Sequence, residues 1–254
     1  MAEIVEHLRL QPHHQLRVSG RRGAVKMDVA LDLHAPWTVI FGPSGSGKSS
    51  LLRAACGLVK GVQVEFRRRL PDAAGQLDTW AEVQSPARSI PTSWRELAYA
   101  PQGTAIFPHL TVLQNIEFGL RSRGEKGGQH FVDEAIELFA LGPLLQRMPR
   151  ELSGGERQGV SLARAFAVPY AKLMLLDEPF SGIDRTMRDA LLPRMKARLV
   201  ARGVPAVSVT HDVEEALLLD ADVVRLDAGK VIARGPANEV LYEERRRMKQ
   251  VLDR

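Results

Sequence analysis

Short apolar runs alternate with longer stretches of helical periodicity along this chain, and the two patterns set out its elements. Apolar side chains at every second position in Leu16 to Val18 and in Met27 to Leu33 predict half-buried strands, and Leu8 to Leu10 extends the pattern upstream. The uninterrupted runs Thr38-Val39-Ile40-Phe41, Leu173-Met174-Leu175-Leu176 and Ala206-Val207-Ser208-Val209 predict strands covered on both faces, as in parallel sheets. Leu51, Leu52, Ala54 and Ala55 open a helix. Val160, Leu162, Ala163, Ala165, Phe166 and Ala167 predict another that starts near Gly155. From Phe107 to about Met148 the periodicity is helical, with Val112, Leu113, Ile116 and Leu120 on one face and Phe131, Ala135, Ile136, Leu138 and Phe139 on another. Residues 67–93, rich in Pro, Ala, Arg and Asp, read as an irregular surface excursion. Arg225 to Ile232 reads as a hairpin and a basic helix closes the chain. Strands alternating with helices from Lys172 to Val224 make the fold class α/β.

Three segments carry chemistry. Gly42-Pro43-Ser44-Gly45-Ser46-Gly47-Lys48-Ser49 is an unbroken G-x-x-x-x-G-K-[ST] pattern between a strand and a helix start, the context this phosphate-binding motif needs. Its backbone amides and Lys48 would hold β and γ phosphates and the Ser49 hydroxyl would join a magnesium ion, with Ser50 adjoining. Asp177 and Glu178 follow a buried strand at its C-terminal end, where open α/β sheets place ligands. There Asp177 can hold Mg2+ and Glu178 can polarise an attacking water; the pair also fits a solvated turn. In Leu152-Ser153-Gly154-Gly155-Glu156-Arg157-Gln158, two glycines at a helix start suit close approach of a phosphate to free N–H groups, and Ser153 with Glu156 equally suits a capping box.

The three segments together resemble the ATP-binding subunit of ABC transporters, over nearly the whole chain to about Leu241. The resemblance implies a P-loop NTPase cassette with a mainly parallel core sheet, an N-terminal antiparallel β region, a RecA-like core of about 1–104 and 168–254, and a helical subdomain of about 105–167. It places Gln102 in a Q-loop that contacts the magnesium and the attacking water, Asp184 in a D-loop facing a second monomer, and His211 at the γ-phosphate. It implies ATP hydrolysis in a head-to-tail dimer. Each ATP would be held by Lys48 and Ser49 of one chain and by Ser153, Gly154, Gly155 and Gln158 of the other. The partners implied are integral membrane permease subunits and, indirectly, a periplasmic or extracellular solute-binding protein, with the chain peripheral on the cytoplasmic face of the inner membrane.

Ile106-Phe107-Pro108-His109-Leu110-Thr111-Val112 is similar to the importer branch, where this surface receives a coupling helix of the permease; a buried loop is the other reading. The segments Ala35 to Phe41 and Leu217 to Gly229 look most like molybdate-type oxyanion importers. An extra C-terminal β domain is not expected, because about fifteen residues follow Val240. Importers of sulfate, polyamines or sugars, exporters, and soluble ABC ATPases are the alternatives. Where the family often has an adenine-stacking aromatic, Ser19-Gly20-Arg21-Arg22 offers an arginine plane instead. Gly159, Ser161 and Gly182 are smaller departures.

Composition changes this picture little. The 254 residues can bury one substantial core, and 44% hydrophobic content is ordinary for an α/β protein. One cysteine, Cys56, allows no internal disulfide and reads as helix packing. The net charge of +5 points to an acidic membrane surface in preference to nucleic acid, while Arg67-Arg68-Arg69 and Arg245-Arg246-Arg247, which lack interleaved aromatics, each read as a solvated face. No nucleic-acid partner is expected.

Overall fold

The computed structural model describes residues 13–23, 25–71, 77–85, 90–122 and 127–252, so the strand expected over Leu8 to Leu10 lies outside the described residues. In chain order the strands are β1 (His14–Arg22), β2 (Val25–Leu33), β3 (Trp37–Phe41), β4 (Val62–Pro71), β5 (Leu77–Gln84), β6 (Leu97–Ala100), β7 (Leu173–Asp177), β8 (Ala206–Val209), β9 (Asp222–Asp227) and β10 (Lys230–Pro236). Two compact units divide them. The first comprises Met1–Arg95 with Val209–Arg254, the second Glu96–Ser208.

In the first unit the strands bond in the order β5-β4-β1-β2-β10-β9-β3. β1 is antiparallel to β2 and to β4, and alternate residues Leu16, Val18, Met27, Val29, Leu31, Leu33, Val64 and Phe66 face inward. β3 is parallel to β9 over Thr38↔Asp222 to Phe41↔Arg225, and its residues 37–40 are buried, as an uninterrupted apolar run requires. The excursion expected over 67–93 is corrected here. Residues 67–71 belong to β4 and 77–84 form β5, its antiparallel neighbour, with Arg67 opposite Glu82 and the Arg69 guanidinium 5.4 Å from the Trp80 ring centre. The pairing gives this basic run cross-strand partners that composition does not display.

At the start of β1 lies a pair of buried histidines. The His13 Nε2 lies 3.0 Å from the Ala35 carbonyl and so carries a proton, and the two Nδ1 atoms of His13 and His14 are 2.8 Å apart. His14 therefore donates to an unprotonated His13 Nδ1, and His14 stacks on Phe66 at 5.6 Å. Burial, with a smaller contribution from His34, pushes His13 down to about 4 despite the Ala35 contact, and burial, then His13 and Arg68, also lowers His14. In the unfolded chain these rings take protons near pH 6.5, so this stability is present above that pH and drains away as pH falls towards 4. Between pH 7 and pH 5 we expect His13 alone to cost about 2 kcal/mol of unfolding free energy. Urea titrations at the two pH values check it: His13→Gln should flatten the dependence, and an equal slope in the variant would refute it.

In the second unit the order is β8-β7-β6, with β6 parallel to β7 from Leu97↔Leu173 to Ala100↔Leu176. All five residues of β7 are buried. The expected helical stretch forms helices Val112–Ile116, Phe118–Ser122 and Gln129–Leu138, the first two interrupted at Glu117. The third buries Val132, Ala135 and Leu138, and Phe139 follows inside the core. Phe131 is only half-buried, because its ring covers the Arg202 guanidinium at 4.6 Å, a cation that Phe166 also covers and Glu134 pairs. Among the described residues no helix is long and apolar enough to cross a membrane.

Candidate nucleotide site

In the first unit, β3 runs straight into the glycine-rich loop. Gly42 is packed so tightly against β9 that a Cβ there would lie 2.1 Å from the Leu226 carbonyl oxygen. Gly47 takes a left-handed conformation, φ 103°, and stands as N-cap of the helix Lys48–Ala55 without any side-chain cap or any acid in the first turn. A helix start without a side-chain cap or acid suits an anion. Lys48 is buried and its Nζ donates to the Gly42 and Pro43 carbonyls, 2.8 Å each, which folds the ammonium inside its own loop. Pro43, Ser44 and Gly45 are exposed and nothing stands within 4 Å of the Gly45 Cβ position. The buried Ser46 Oγ has no hydrogen-bond partner among the described residues. Ser49 and Ser50 are half-buried. An open mouth, an inward cation and an orphaned hydroxyl fit a polyphosphate.

The same unit holds His211, exposed just after β8. Thr210 donates its N–H to Ile40 of β3 at 3.4 Å, and its hydroxyl accepts from the Asp212 N–H. Asp212 then caps the next helix through Glu214 and Glu215. The backbone beside His211 is thereby tied to the strand that delivers the loop. At the far end of the helix Lys48–Ala55 the Arg95 guanidinium donates to Ala55, and Cys56 is buried, its thiol pushed up to about 12 by burial. This agrees with the packing role expected of Cys56.

In the second unit, Asp177 ends β7 with no exposure, and the Tyr99 hydroxyl, on neighbouring β6, donates to its Oδ2 at 3.5 Å. Glu178 is half-buried and left-handed, φ 48°, a conformation that strains a residue with a side chain and that clusters at functional sites. Both the N–H and the hydroxyl of Ser181 donate to the Glu178 carbonyl, which fixes this turn. Gln102 is exposed just beyond β6, and the β6–β7 register sets it at the same end of the pair as Asp177 and Glu178.

Ser153 caps the helix Gly154–Phe166. Its Oγ accepts from the Glu156 N–H at 3.2 Å, and the Glu156 carboxylate accepts from the Ser153 N–H at 2.6 Å. The capping-box reading therefore holds, and those bonds, the backbone one first, lower the Glu156 pKa. The box still leaves donors at the helix start. The box consumes the cap and third N–H groups, leaving those of Gly154 and Gly155, and an accepting serine still has its own proton to donate.

Two further expected ligands make local hydrogen bonds. Asp184 is exposed and caps the helix Arg185–Ala201 through Thr186 and Met187 at 2.9 and 3.2 Å. Gln158 is buried at 2% exposure and its amide donates to the Pro179 carbonyl at 2.7 Å. That geometry makes it a brace inside the unit, its amide spent on a backbone carbonyl in place of the expected nucleotide.

Sequence reasoning missed three supporting groups. Tyr99 acts on Asp177, as above. The Asn115 side chain accepts from the Phe107 N–H and shares its own protons among the Phe107, Leu110 and Thr111 carbonyls. Arg164 donates to the Ala105 carbonyl and lies 5.0 Å from the Phe107 ring centre. Phe107 and Leu110 are consequently half-buried, between the two readings of that loop, while Phe118, 4.3 Å from Phe107, is 42% exposed.

Residues 27–181 match the ABC transporter family pattern. The chain is 39% identical over 228 residues to the molybdenum import ATP-binding protein ModC of Rhodopseudomonas palustris, covering 87% of this chain and 56% of that one. It is 38% identical to ModC of Methylococcus capsulatus, covering 85% and 58%. The chain thus spans somewhat over half the length of these two curated relatives. To the molybdate/tungstate import ATP-binding protein WtpC of Archaeoglobus fulgidus it is 33% identical, covering 89% and 88%. Its fold matches that of cbiO1 of Clostridium perfringens, part of the ABC transporter complex cbiONQ, at a TM-score of 0.69, 20% identity and 92% of both chains. With the glycine-rich loop, the acid-ended strand β7 and the capped helix at Ser153 all in place, and the family pattern running from 27 to 181, this chain belongs to the ABC transporter family.

Proposed function

We propose that two copies of this chain bind ATP head to tail and hydrolyse it to drive import of molybdate through permease subunits at the cytoplasmic face of a membrane. One observation carries the activity. Both glycine segments open helices, the one at Lys48 with no side-chain cap and the one at Ser153 with a capping box, and a helix N-terminus of either kind suits an anion. Lys48, the loop amides and Ser49 of one chain would take the β and γ phosphates. Ser153, Gly154 and Gly155 of the other would close on the γ-phosphate. Glu178 accepts a proton from the attacking water and His211 and Gln102 orient that water, while Asp184 faces the second copy. Asp177 and Ser49, with Gln102, would hold Mg2+, which neutralises phosphate charge when bound. The donor set suits this hard cation: a fully buried carboxylate and a hydroxyl, with oxygen ligands only.

Molybdate is the solute this reading takes from the names of the bacterial and archaeal relatives, which span 33% to 39% identity. The test is molybdenum content by elemental mass spectrometry in cells lacking the gene and grown at limiting molybdate. We expect restoration by the wild-type gene and none by one encoding Lys48→Ala. Equal content in all strains, or loss of sulfate uptake instead, would refute the assignment of solute.

A further inference from the structure

Gln158 does work that neither the motif nor the family pattern assigns to it. The helix Gly154–Phe166 presents Gly155 and Gln158, three residues apart and so on one face, to the loop that follows Glu178. Gly155 lies so close to that loop that a Cβ would be 3.2 Å from the Gly182 carbonyl oxygen. One turn further on, the Gln158 amide donates to the Pro179 carbonyl at 2.7 Å, with both residues buried. A buried carbonyl that loses its donor suffers the full desolvation penalty, so this bond resists opening. Pro179 adjoins Glu178, whose left-handed backbone is also held by Ser181. The helix start and the Glu178 turn are thus joined by one buried hydrogen bond and one close backbone approach across a short loop.

We infer that Gln158 is a positioning residue that makes the start of the helix Gly154–Phe166 and the Glu178 turn move as one body, and so couples the two nucleotide sites of a dimer. The inference rests on the head-to-tail reading above. There, the Ser153 end of each chain grips the partner's nucleotide while Glu178 of the same chain serves its own. A shift of the helix on meeting a phosphate would travel through Gln158 to Pro179 and set the Glu178 carboxylate. Occupancy of one site is then felt at the other, and hydrolysis becomes cooperative in ATP.

The test uses the full chain in steady-state phosphate release. For the wild type we expect a Hill coefficient for ATP approaching about 2, the number of sites. In Gln158→Leu, which keeps bulk and removes the donor, it should fall to about 1 and kcat should drop roughly tenfold. ATP affinity of the isolated chain should stay within about twofold, since the Lys48 loop is untouched. Gln158→Glu supplies a second readout that does not depend on the first variant folding. Its buried carboxyl donates to Pro179 only when protonated, so kcat and cooperativity should recover relative to wild type as pH falls from about 8 to about 6. A wild type that hydrolyses cooperatively beside variants that keep both its kcat and its Hill coefficient would overturn the inference alone, whatever their loss of melting temperature. A wild type with no ATPase activity would overturn the underlying reading and the inference with it.

Discussion

Glu178→Gln is expected to slow ATP hydrolysis by about 10²- to 10⁴-fold, the contribution typical of a positioned general base, while leaving ATP affinity within roughly threefold. Glutamine keeps the length of the side chain and its hydrogen-bonding shape but cannot take a proton from water. The turn should survive, because its supports come from elsewhere: Ser181 donates to the carbonyl of residue 178, and Gln158 to that of Pro179. Backbone strain at φ 48° is the same for both side chains, so stability should change by less than about 0.5 kcal/mol. ATP bound but not turned over should hold the two copies together, visible as a dimer in gel filtration with ATP. Wild-type turnover by the variant would remove Glu178 from the mechanism.

Ser153→Arg should abolish ATPase activity while the isolated chain still binds ATP. Arginine removes the hydroxyl that accepts from Glu156, a cap worth about 1 kcal/mol, and sets a long side chain where the partner's γ-phosphate must approach. The Lys48 loop belongs to the other half of each shared site and is unaffected. Ser153→Asp separates the two roles of the serine. An aspartate caps the helix as well and suits its dipole, so the fold keeps its stability, yet its charge repels phosphate; we expect activity to fall with no loss of melting temperature. Mixing Ser153→Arg with Lys48→Ala is the strictest measurement. A mixed dimer contains one intact site, built from the loop of the first variant and the helix start of the second, so activity should reappear on mixing. Activity in Ser153→Arg alone, or none regained on mixing where dimers form, would refute a site shared between chains.

Much of this arrangement could be read from residue patterns because it depends on local chemistry. The apolar runs at 38–41, 173–176 and 206–209 became β3, β7 and β8, and the glycine-rich loop fell between a strand and a helix as its motif requires. β5 was hidden because Pro71 and the arginines of β4 dominate the composition there, while Leu77, Thr79, Ala81 and Val83 do alternate with polar or aromatic residues. Reading by period would have found it. The Gln158 brace was not legible in that way. Its partner is a backbone carbonyl 21 residues distant, and carbonyls carry no sequence signature. Tyr99 was hidden for a related reason: only the β6–β7 register brings its hydroxyl to Asp177.

The left-handed backbone at Glu178 has a consequence for how the chain can change over generations. Asparagine and glycine adopt this conformation with less strain than glutamate, by an amount on the order of 1 kcal/mol, so the backbone at this position favours either over the acid. Random drift would favour a more stable, inert chain. On the proposed role, selection for turnover would keep a glutamate there, and a lineage released from that selection would be expected to lose position 178 early, well before its loop at Lys48 decays.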